Sequence, residues 1–371
     1  MLQFITPPLT HRAVLGACLL LLSAASALAA PPFRIDWREG PPYPDLVKGG
    51  ALGVLGGYVV CAGGMNYPWR ESPAAYAFDP CVGQWLPLRD MPEGRVYTAG
   101  VSVGDSFFVI GGRFDGQTRG DCFKISFSPK RWTWSRIPSL NVPRGWAGVA
   151  TDADLILCIG GNRFVPGEPM CSEQSTVSTV EGFRLTDPIR GWFTLPPLPG
   201  HSRGWLATAY ARGRFFVFGG GYFEVAGNTR SNIRVAEACS LTPATQEWFR
   251  LADLPTPLSG AAAVTYQDRY IIILGGCAGP AREVFDSRLG RTVGEYNDVV
   301  WVYDLETDTY AALDGRLPHG VNDLRAAIAG DTIYLAGGEN VDQETSNTTN
   351  HFQIGTILPV TSGAPASAPN E

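Results

Sequence analysis

The stretch RGWAGVATDADLILCIGGNR, residues 144 to 163, has an arginine before a run of small residues and two glycines after an apolar run. The apolar run from Leu155 to Ile159 predicts a buried strand, and the small residues before it suit a second strand in a crowded place. The Asp-Ala-Asp step between the two strands is typical of a turn. An antiparallel hairpin therefore brings Arg144 beside Gly160 and the residues that follow it.

Paired glycines after an apolar run recur at six places, and repeats of roughly 20 to 50 residues determine a whole fold. The doublets are at 63–64, 111–112, 160–161, 219–220, 275–276 and 337–338. A strand-like segment and an outer aromatic residue follow the first five doublets. These aromatic residues are Trp85, Trp134, Trp192, Trp248 and Tyr310. Each unit therefore predicts four short strands.

This pattern resembles the kelch repeat, whose signature is the glycine doublet, a downstream aromatic residue and a tryptophan in the outer strand. The resemblance covers roughly residues 33 to 358 and implies an all-β, six-bladed β-propeller. We expect the outer tryptophans to pack between neighbouring blades. The glycines suit this fold because blades converge at the axis, where a Cβ atom would collide, and because glycine permits positive φ.

The two ends of the repeat region are complementary. The sixth doublet is followed by one strand candidate, HFQIGTIL, with no tryptophan after it. The segment from Phe33 to Trp37 looks like an outer strand and has no doublet of its own. We therefore expect the N-terminal strand to complete the sixth blade and close the ring, which leaves only short, protected edges.

The segments outside the propeller have different compositions. Residues 1–30 contain Arg12, an apolar run and an Ala-Leu-Ala cleavage signal, which together predict a secretory signal peptide and a secreted or periplasmic protein. Residues 31–358 form the predicted propeller. Residues 359–371 lack apolar periodicity and are predicted to be disordered. No later segment reaches about 18 apolar residues, so we expect no membrane insertion.

Charge and cysteine content limit the possible partners. Without the leader, the chain has 28 Lys and Arg against 35 Asp and Glu, a net charge of −7, which argues against nucleic acid and anionic membranes as partners. Seven cysteines remain. Cys61 and Cys158 are expected to be buried in strands. Cys171 and Cys277 lie in loops, where a disulfide and a reactive thiol are both open.

Alignment of the units by their doublets predicts a polar rim around one mouth of the channel. The position sixteen residues before the doublet holds Arg95, Arg144, Arg203 and Ser259 in units two to five. Lys48 lies fifteen residues before the first doublet, and the sixth unit has Val321 and Asn322 there with Arg325 close by. The residues after the doublets should join this rim. They are Asn66, Arg113, Asn162, Arg163, Tyr222, Glu339 and Asn340.

A cationic rim on an acidic protein indicates an anion as ligand, because a concave opening concentrates the field of like charges. Arginine binds a carboxylate through two parallel hydrogen bonds. In the alternative interpretation, these arginines brace neighbouring blades by bonding backbone carbonyls and acidic loop residues. The sequence leaves both interpretations open.

Several segments resemble the N-acetylneuraminate epimerase (sialic acid mutarotase) family, especially its cyclically permuted branch. They are the outer strand with WREGPPYP, CAGGMNYP in the first unit, WFRLADLPTPLSGAA at a blade junction and AGGEN in the sixth unit. That family interconverts the anomers of a free acidic sugar with a glutamate directly after a doublet and an arginine six residues later. The resemblance implies that Glu339 is catalytic, but Thr345 occupies the arginine position. Glu224 and Arg230 have the same spacing, four residues past the fourth doublet.

Three functions are open at this point. The first is binding of an acidic monosaccharide or glycan at the rim, with Glu339 shuttling protons in a mutarotation that needs no metal or other cofactor. The second is a non-catalytic propeller that binds a protein or polysaccharide through the long insertions at 162–180 and 277–298. The third, a copper-radical oxidase of the galactose oxidase type, is disfavoured because His201, His319 and His351 occupy dissimilar places in their repeats.

Overall fold

The computed structural model describes residues 30–66, 70–128, 131–227, 229–284, 295–340 and 348–360. The predicted signal peptide, apart from its last residue, and the tail beyond Val360 lie outside the described residues, as does Thr345. The described strands form six antiparallel four-stranded sheets. The first strands of neighbouring sheets contact one another in a closed circuit, so all six surround one axis. The predicted all-β, six-bladed propeller is confirmed.

The blades are numbered by their doublets, and the four strands of each run from the axis outward. Those of blades 1 to 3 are Ala51–Leu55, Tyr58–Ala62, Ala75–Asp79 and Gln84–Pro87; Ala99–Val103, Ser106–Ile110, Cys122–Ser128 and Arg131–Ile137; Gly148–Thr151, Leu155–Ile159, Val180–Arg184 and Phe193–Leu195. Those of blades 4 to 6 are Ala207–Ala211, Arg214–Phe218, Ala238–Thr242 and Glu247–Arg250; Ala262–Tyr266, Tyr270–Leu274, Trp301–Asp304 and Thr309–Ala312; Arg325–Ala329, Thr332–Ala336, Phe352–Pro359 and Phe33–Glu39.

Smaller sheets lie at the end of the blades where the doublets are, which we call the doublet end. They consist of Met65–Asn66 with Arg70–Glu71, Arg113–Phe114 with Gln117–Thr118, Gly221–Ala226 with Thr229–Arg234 and Arg282–Val284, and Leu258–Ser259 with Cys277–Ala278 and Glu295–Tyr296. A 3₁₀ turn spans Pro188–Arg190. In the described part of the chain, no helix is long and apolar enough to span a membrane.

The N-terminal strand closes the ring, as predicted. Phe33–Glu39 pairs antiparallel with Phe352–Pro359, and Phe33 lies opposite Pro359. Phe33 and Ile35 are buried in the same apolar cluster as Val264 of blade 5. Closure is therefore non-covalent and depends on both backbone pairing and apolar packing between the last two blades.

The outer aromatic residues join each blade to the one before it, which confirms their predicted packing. In five successive blades, the aromatic side chain donates a hydrogen bond to a backbone carbonyl in the chain segment that leads from the previous blade into its own. The pairs are Trp85 to Pro41, Trp134 to Arg89, Trp192 to Pro138, Trp248 to Pro196 and Tyr310 to Ala252, at 2.8–3.1 Å. Tyrosine can replace tryptophan in blade 5 because its hydroxyl reaches an equivalent carbonyl.

Removing this hydrogen bond while keeping the aromatic ring of the side chain should destabilise the protein only mildly. Tyr310→Phe removes only the hydroxyl, so we expect the free energy of unfolding to fall by about 1 kcal/mol, the net value of one hydrogen bond. Trp192→Ala removes the ring as well and should cost about 3–5 kcal/mol. Urea denaturation measures both. Equal losses in the two variants would contradict the separation of bonding from packing.

The glycine doublets join the same neighbours near the axis. The amide of each second glycine donates to a carbonyl of the next blade, as from Gly112 to Arg144 at 2.9 Å and from Gly161 to Arg203 at 2.9 Å. Gly160 has a φ of 59°, and a Cβ there would lie 2.6 Å from the Arg203 carbonyl oxygen. The glycines are thus required by close backbone contact between blades, rather than by crowding at the axis as we expected.

Candidate functional site

Strand pairing corrects the alignment of the predicted rim. The first hairpin of blade 5, with its turn at residues 267–269, pairs Ala262 with Leu274. It is one residue longer than the first hairpin of each other blade, such as that which pairs Gly148 with Ile159. The equivalents of the three arginines are therefore Val47, Leu258 and Val321. Lys48, Ser259 and Asn322 each occupy the following position, as their pairing with Met65, Cys277 and Glu339 shows. Ser259 was thus misaligned by one residue. Because side chains alternate in extended chain, Lys48 and Asn322 leave the backbone on the opposite side from the arginines.

Arg95, Arg144 and Arg203 are buried within the blades, with 0–1% of their surface exposed. Their guanidinium groups contact backbone carbonyls and carboxylates. The partners are Gly94, Glu93 and Asp121 for Arg95; Val142, Cys158 and Glu181 for Arg144; and Pro199, His201, Gly219 and Glu237 for Arg203. These contacts are those of the bracing alternative. A substrate-binding role for the three arginines stays a prediction without support from their geometry.

A ring of backbone hydrogen bonds surrounds the axis at the doublet end. Its members, two residues after each arginine position, all have φ between 52° and 71°. They are Gly49, Tyr97, Trp146, Trp205, Gly260 and Asp323. Five amides donate to the preceding member at 2.8–3.2 Å, and the Thr98 amide completes the circuit by donating to Gly49. We call these six residues the axial ring.

Aromatic side chains occupy one half of the axial ring. Tyr97 and Trp146 stack with their ring centroids 4.1 Å apart, and Trp205 packs against Trp146 at 5.8 Å. Phe223 meets Trp205 edge-on, and the Arg230 guanidinium lies 3.6 Å from the centre of the Phe223 ring. The other half consists of two glycines and Asp323. The mouth therefore has an aromatic side opposite an acidic side.

Glu339, predicted to be catalytic, lies on the acidic side in direct contact with two predicted rim positions. Its carboxylate forms an ion pair with Lys48 and accepts a hydrogen bond of 3.1 Å from Asn322. The Lys48 and Glu339 side chains are only 8% and 15% exposed. Burial is the largest influence and alone would lower the pKa of Lys48. The charge of Glu339, its hydrogen bond and the charges of Tyr97 and Asp323 together outweigh burial and raise that pKa. Lys48 thus stays charged and holds the Glu339 carboxylate.

Asp323 is the functional candidate that the sequence did not reveal. The residue is 5% exposed. Burial, followed by the charge of Glu339, raises its pKa to about 7, although Arg325, Lys48 and a hydrogen bond from Trp205 oppose the shift. The charge of Glu339 thus acts directly on the Asp323 carboxyl group and favours its protonated form. Its place in a ring position that otherwise holds glycine or an aromatic residue was the available signal.

The remaining predicted rim residues have varied environments. Arg113 is half-buried and lies 3.6 Å from Glu71. Asn162 is fully buried and accepts a hydrogen bond from Ser175. Asn340 is buried and donates to the Gly320 carbonyl, whereas Arg163 is exposed.

Buried polar atoms without a hydrogen-bond partner are numerous near the axial ring. Among the described residues they include Trp146 Nε1, Asn162 Nδ2, Ser172 Oγ, Asn66 Oδ1, Asn322 Oδ1 and Arg113 Nε. Each such atom costs about 1–3 kcal/mol when nothing bonds to it. Unpartnered buried polar atoms on both sides of the mouth are typical of a site for a polar ligand.

The two cysteines predicted to lie in loops are both buried, and Cys277 is part of the short strand Cys277–Ala278. Cys171 is a free thiol whose burial raises its pKa, and its backbone carbonyl accepts a hydrogen bond from Phe223. Cys277 accepts a hydrogen bond of 3.1 Å from Arg234. The disulfide left open by the sequence is thus not formed at Cys171, and its thiol is not poised as a thiolate.

Two of the three described histidines contact each other. His319 and His351 stack at 3.7 Å, and His319 contacts Glu39, although their places in the repeats are dissimilar. His201 stacks on Tyr222 at 5.8 Å. Within the described ranges, no group of three or more His, Cys, Asp or Glu side chains could hold a metal ion.

Comparison with known proteins supports the repeat assignment. Residues 48–92 match the family model described as the Kelch motif. The chain is 30% identical to Kelch-like protein terF of Aspergillus terreus over 254 residues, covering 65% of this chain and 52% of that protein. It is 27% identical to Kelch-like protein 36 of Bos taurus over 253 residues, covering 65% and 37% respectively. The chain thus spans about half or less of these curated relatives.

A solved structure has the same fold. The structure of YjhT superimposes with a TM-score of 0.65 at 14% sequence identity and covers 86% of this chain and 99% of its own. This likeness concerns the fold alone. The six blades and this likeness define a six-bladed β-propeller, and residues 48–92 carry the Kelch motif.

Proposed function

We propose that the protein binds a small acidic sugar at the doublet end and interconverts its anomers. The observation that carries this proposal is the buried Asp323, with a pKa raised to about 7, beside a Glu339 carboxylate held by Lys48. Two carboxyl groups whose environments differ in this way can divide the roles of acid and base. The likeness to YjhT agrees with this choice only at the level of fold.

The chemistry requires two proton transfers. Ring opening removes the proton of the anomeric hydroxyl and delivers a proton to the ring oxygen, and closure on the other face reverses both transfers. Ionised Glu339 accepts the first proton, and protonated Asp323 supplies the second. Both groups regain their starting states when the ring closes, so no further reactant is needed. Acid–base assistance of this kind contributes about 10²–10⁴-fold.

Recognition of the sugar would use the opposite side of the mouth. Tyr97 and Trp205 offer aromatic faces that suit the apolar face of a sugar ring. The amide nitrogen of Asn162 and the indole nitrogen of Trp146 have no hydrogen-bond partner in the described part of the structure, and we assign them as donors to sugar oxygens. Arg113 is the cation we assign to the sugar carboxylate, because it is partly exposed and only loosely paired with Glu71.

NMR exchange spectroscopy of N-acetylneuraminate, glucuronate and galacturonate tests this proposal directly. Micromolar protein should speed anomer exchange of at least one of the three sugars above the buffer rate. Arg113→Gln should weaken that effect, whereas Arg184→Gln, at an exposed ion pair on a strand of blade 3, should not. The proposal would be abandoned if all three sugars exchanged at the buffer rate.

A second candidate function is protein binding at the doublet end. Four exposed apolar side chains follow the doublets of blades 3, 4 and 5, namely Phe164, Met170, Val225 and Val284. Several exposed apolar side chains at the same end of a protein favour an interaction surface there. Val225→Glu should abolish binding to such a partner while leaving sugar exchange intact, which separates the two functions.

A further inference from the structure

Two contiguous cavities extend along the axis below the axial ring. The larger, of about 460 Å³, is lined by residues from all six inner strands. The smaller, of about 60 Å³, lies nearer the doublet end. They share Leu52, Gly100, Val149, Thr208, Ala263 and Ala326 in their linings. Glycine, alanine, valine and threonine dominate both linings.

Arg325 lies at the doublet end of this channel, where the other blades have small residues. The equivalent positions by strand pairing are Ala51, Ala99, Gly148, Ala207 and Ala262. Among the described residues that line the two cavities, Arg325 alone carries a charge. A cation therefore marks one end of an otherwise uncharged channel.

The Arg325 guanidinium is held by hydrogen bonds but does not use all of its N–H donors. Nε and Nη2 donate to the Thr98 carbonyl at 3.3 and 2.9 Å, and Nη1 donates to the Leu324 carbonyl at 3.0 Å. A guanidinium has five N–H donors. One N–H on each terminal nitrogen thus has no partner in the described part of the structure, and these two terminal donors can serve one carboxylate.

The charge of Arg325 has no directly bonded carboxylate. Within the described ranges, no Asp or Glu oxygen lies within ion-pair distance of Arg325. Asp323 acts on it from the axial ring, but burial outweighs that attraction and lowers the pKa of Arg325. Arg325 is partly buried. Removing a cation from water without a paired anion is unfavourable, and an anionic ligand would relieve this cost.

We propose that the axial channel binds an elongated apolar monocarboxylate, with its carboxylate on Arg325 and its chain along the inner strands. The larger cavity falls within the roughly 300–1,000 Å³ of small-molecule sites. An apolar chain suits a lining of small aliphatic residues, and a planar carboxylate suits the paired donors of a guanidinium. This site is separated from the mouth by the axial ring.

Isothermal titration calorimetry of the whole chain with sodium decanoate tests the proposal. We expect one decanoate to bind per chain, decanol to bind at least about 10-fold more weakly, and acetate not to bind. Arg325→Gln keeps a donor for Thr98 but removes the charge, so decanoate should bind roughly 10- to 100-fold more weakly. Arg325→Lys should retain intermediate affinity.

Three further variants locate the binding. Arg214→Gln removes an arginine that does not line the channel and should leave the affinity unchanged. Lys48→Gln alters the mouth and should also leave it unchanged. Ala263→Phe fills the channel and should abolish binding, which provides an independent test if Arg325→Gln does not fold. Thermal melting verifies folding of each variant.

Four results would overturn the proposal. They are absence of decanoate binding at millimolar concentration, equal affinity for decanol, unchanged binding by folded Arg325→Gln or Ala263→Phe, and a loss in Lys48→Gln as large as that in Arg325→Gln. The last result would place the carboxylate at the mouth. None of them bears on anomer exchange, so the two proposals fail independently.

Discussion

Glu181→Ala is expected to lower the free energy of unfolding by about 3–5 kcal/mol, because it leaves a buried arginine without its counter-charge. Glu181 and Arg144 are both fully buried and bonded at 2.6 Å. The same carboxylate accepts the amides of Asn141 and Val142 at 2.7 and 3.0 Å. Alanine would remove an acceptor from three donors at once. Denaturant unfolding, followed by intrinsic tryptophan fluorescence, measures the loss.

Two comparisons show whether the unpaired charge is the cause. Glu93→Ala beside Arg95 should cost less than Glu181→Ala, since Glu93 is partly exposed and Asp121 remains near that guanidinium. Replacing both Arg144 and Glu181 by apolar residues of similar volume should recover much of the stability. If Glu181→Ala lost less than about 1 kcal/mol, the bracing role of this ion pair would be refuted.

Replacement of either carboxyl group at the mouth should remove most of the proposed activity. Asp323→Asn and Glu339→Gln are each expected to slow anomer exchange by about 10²–10⁴-fold, because each removes one proton transfer. In the unaltered protein, exchange should fall as pH rises through about 7, where Asp323 loses its proton. NMR exchange rates across pH 5–9 measure both effects. A loss in Glu339→Gln alone would remove Asp323 from the mechanism.

Asp323→Asn should raise the free energy of unfolding although it removes the proposed activity, which separates function from folding. The folded-state pKa of Asp323, about 7, exceeds the roughly 3.9 of an unfolded aspartate, so the folded state binds this proton more tightly. The stabilisation is complete below about pH 4 and is lost as pH rises through 7. Asp323→Asn should therefore be more stable than the parent above pH 7, by up to ~4 kcal/mol, and similar to it below pH 4.

The sequence predicted features that depend on spacing and composition. Six doublets defined the blades, the unpaired segment at Phe33 defined the closure, and Trp192 and its equivalents were correctly placed between blades. These features recur, so each unit supports the interpretation of the others. Backbone pairing at the doublet end also brought Glu339 beside Lys48, as the common rim implied.

The directions in which individual side chains point were harder to predict from the sequence. A shift of one residue in an extended segment reverses the side on which a side chain lies. The longer turn at 267–269 caused such a shift for Ser259, and the arginines enter the blades although their backbone borders the mouth. Asp323 was missed for a related reason, because its importance depends on burial and on Glu339, which are properties of the folded chain.

Closure by the first strand also means that the two strands of this pair are synthesised at opposite ends of translation. Phe33 pairs with Pro359, so the outermost edge of the last blade is synthesised before every other strand. At roughly 5–20 residues per second, ribosomes need about 15–60 seconds to deliver its partner. Phe33 and Ile35 cannot be shielded by that partner during this interval. A circular permutant that begins within the loop after blade 1 would shorten the wait, and it should aggregate less during expression.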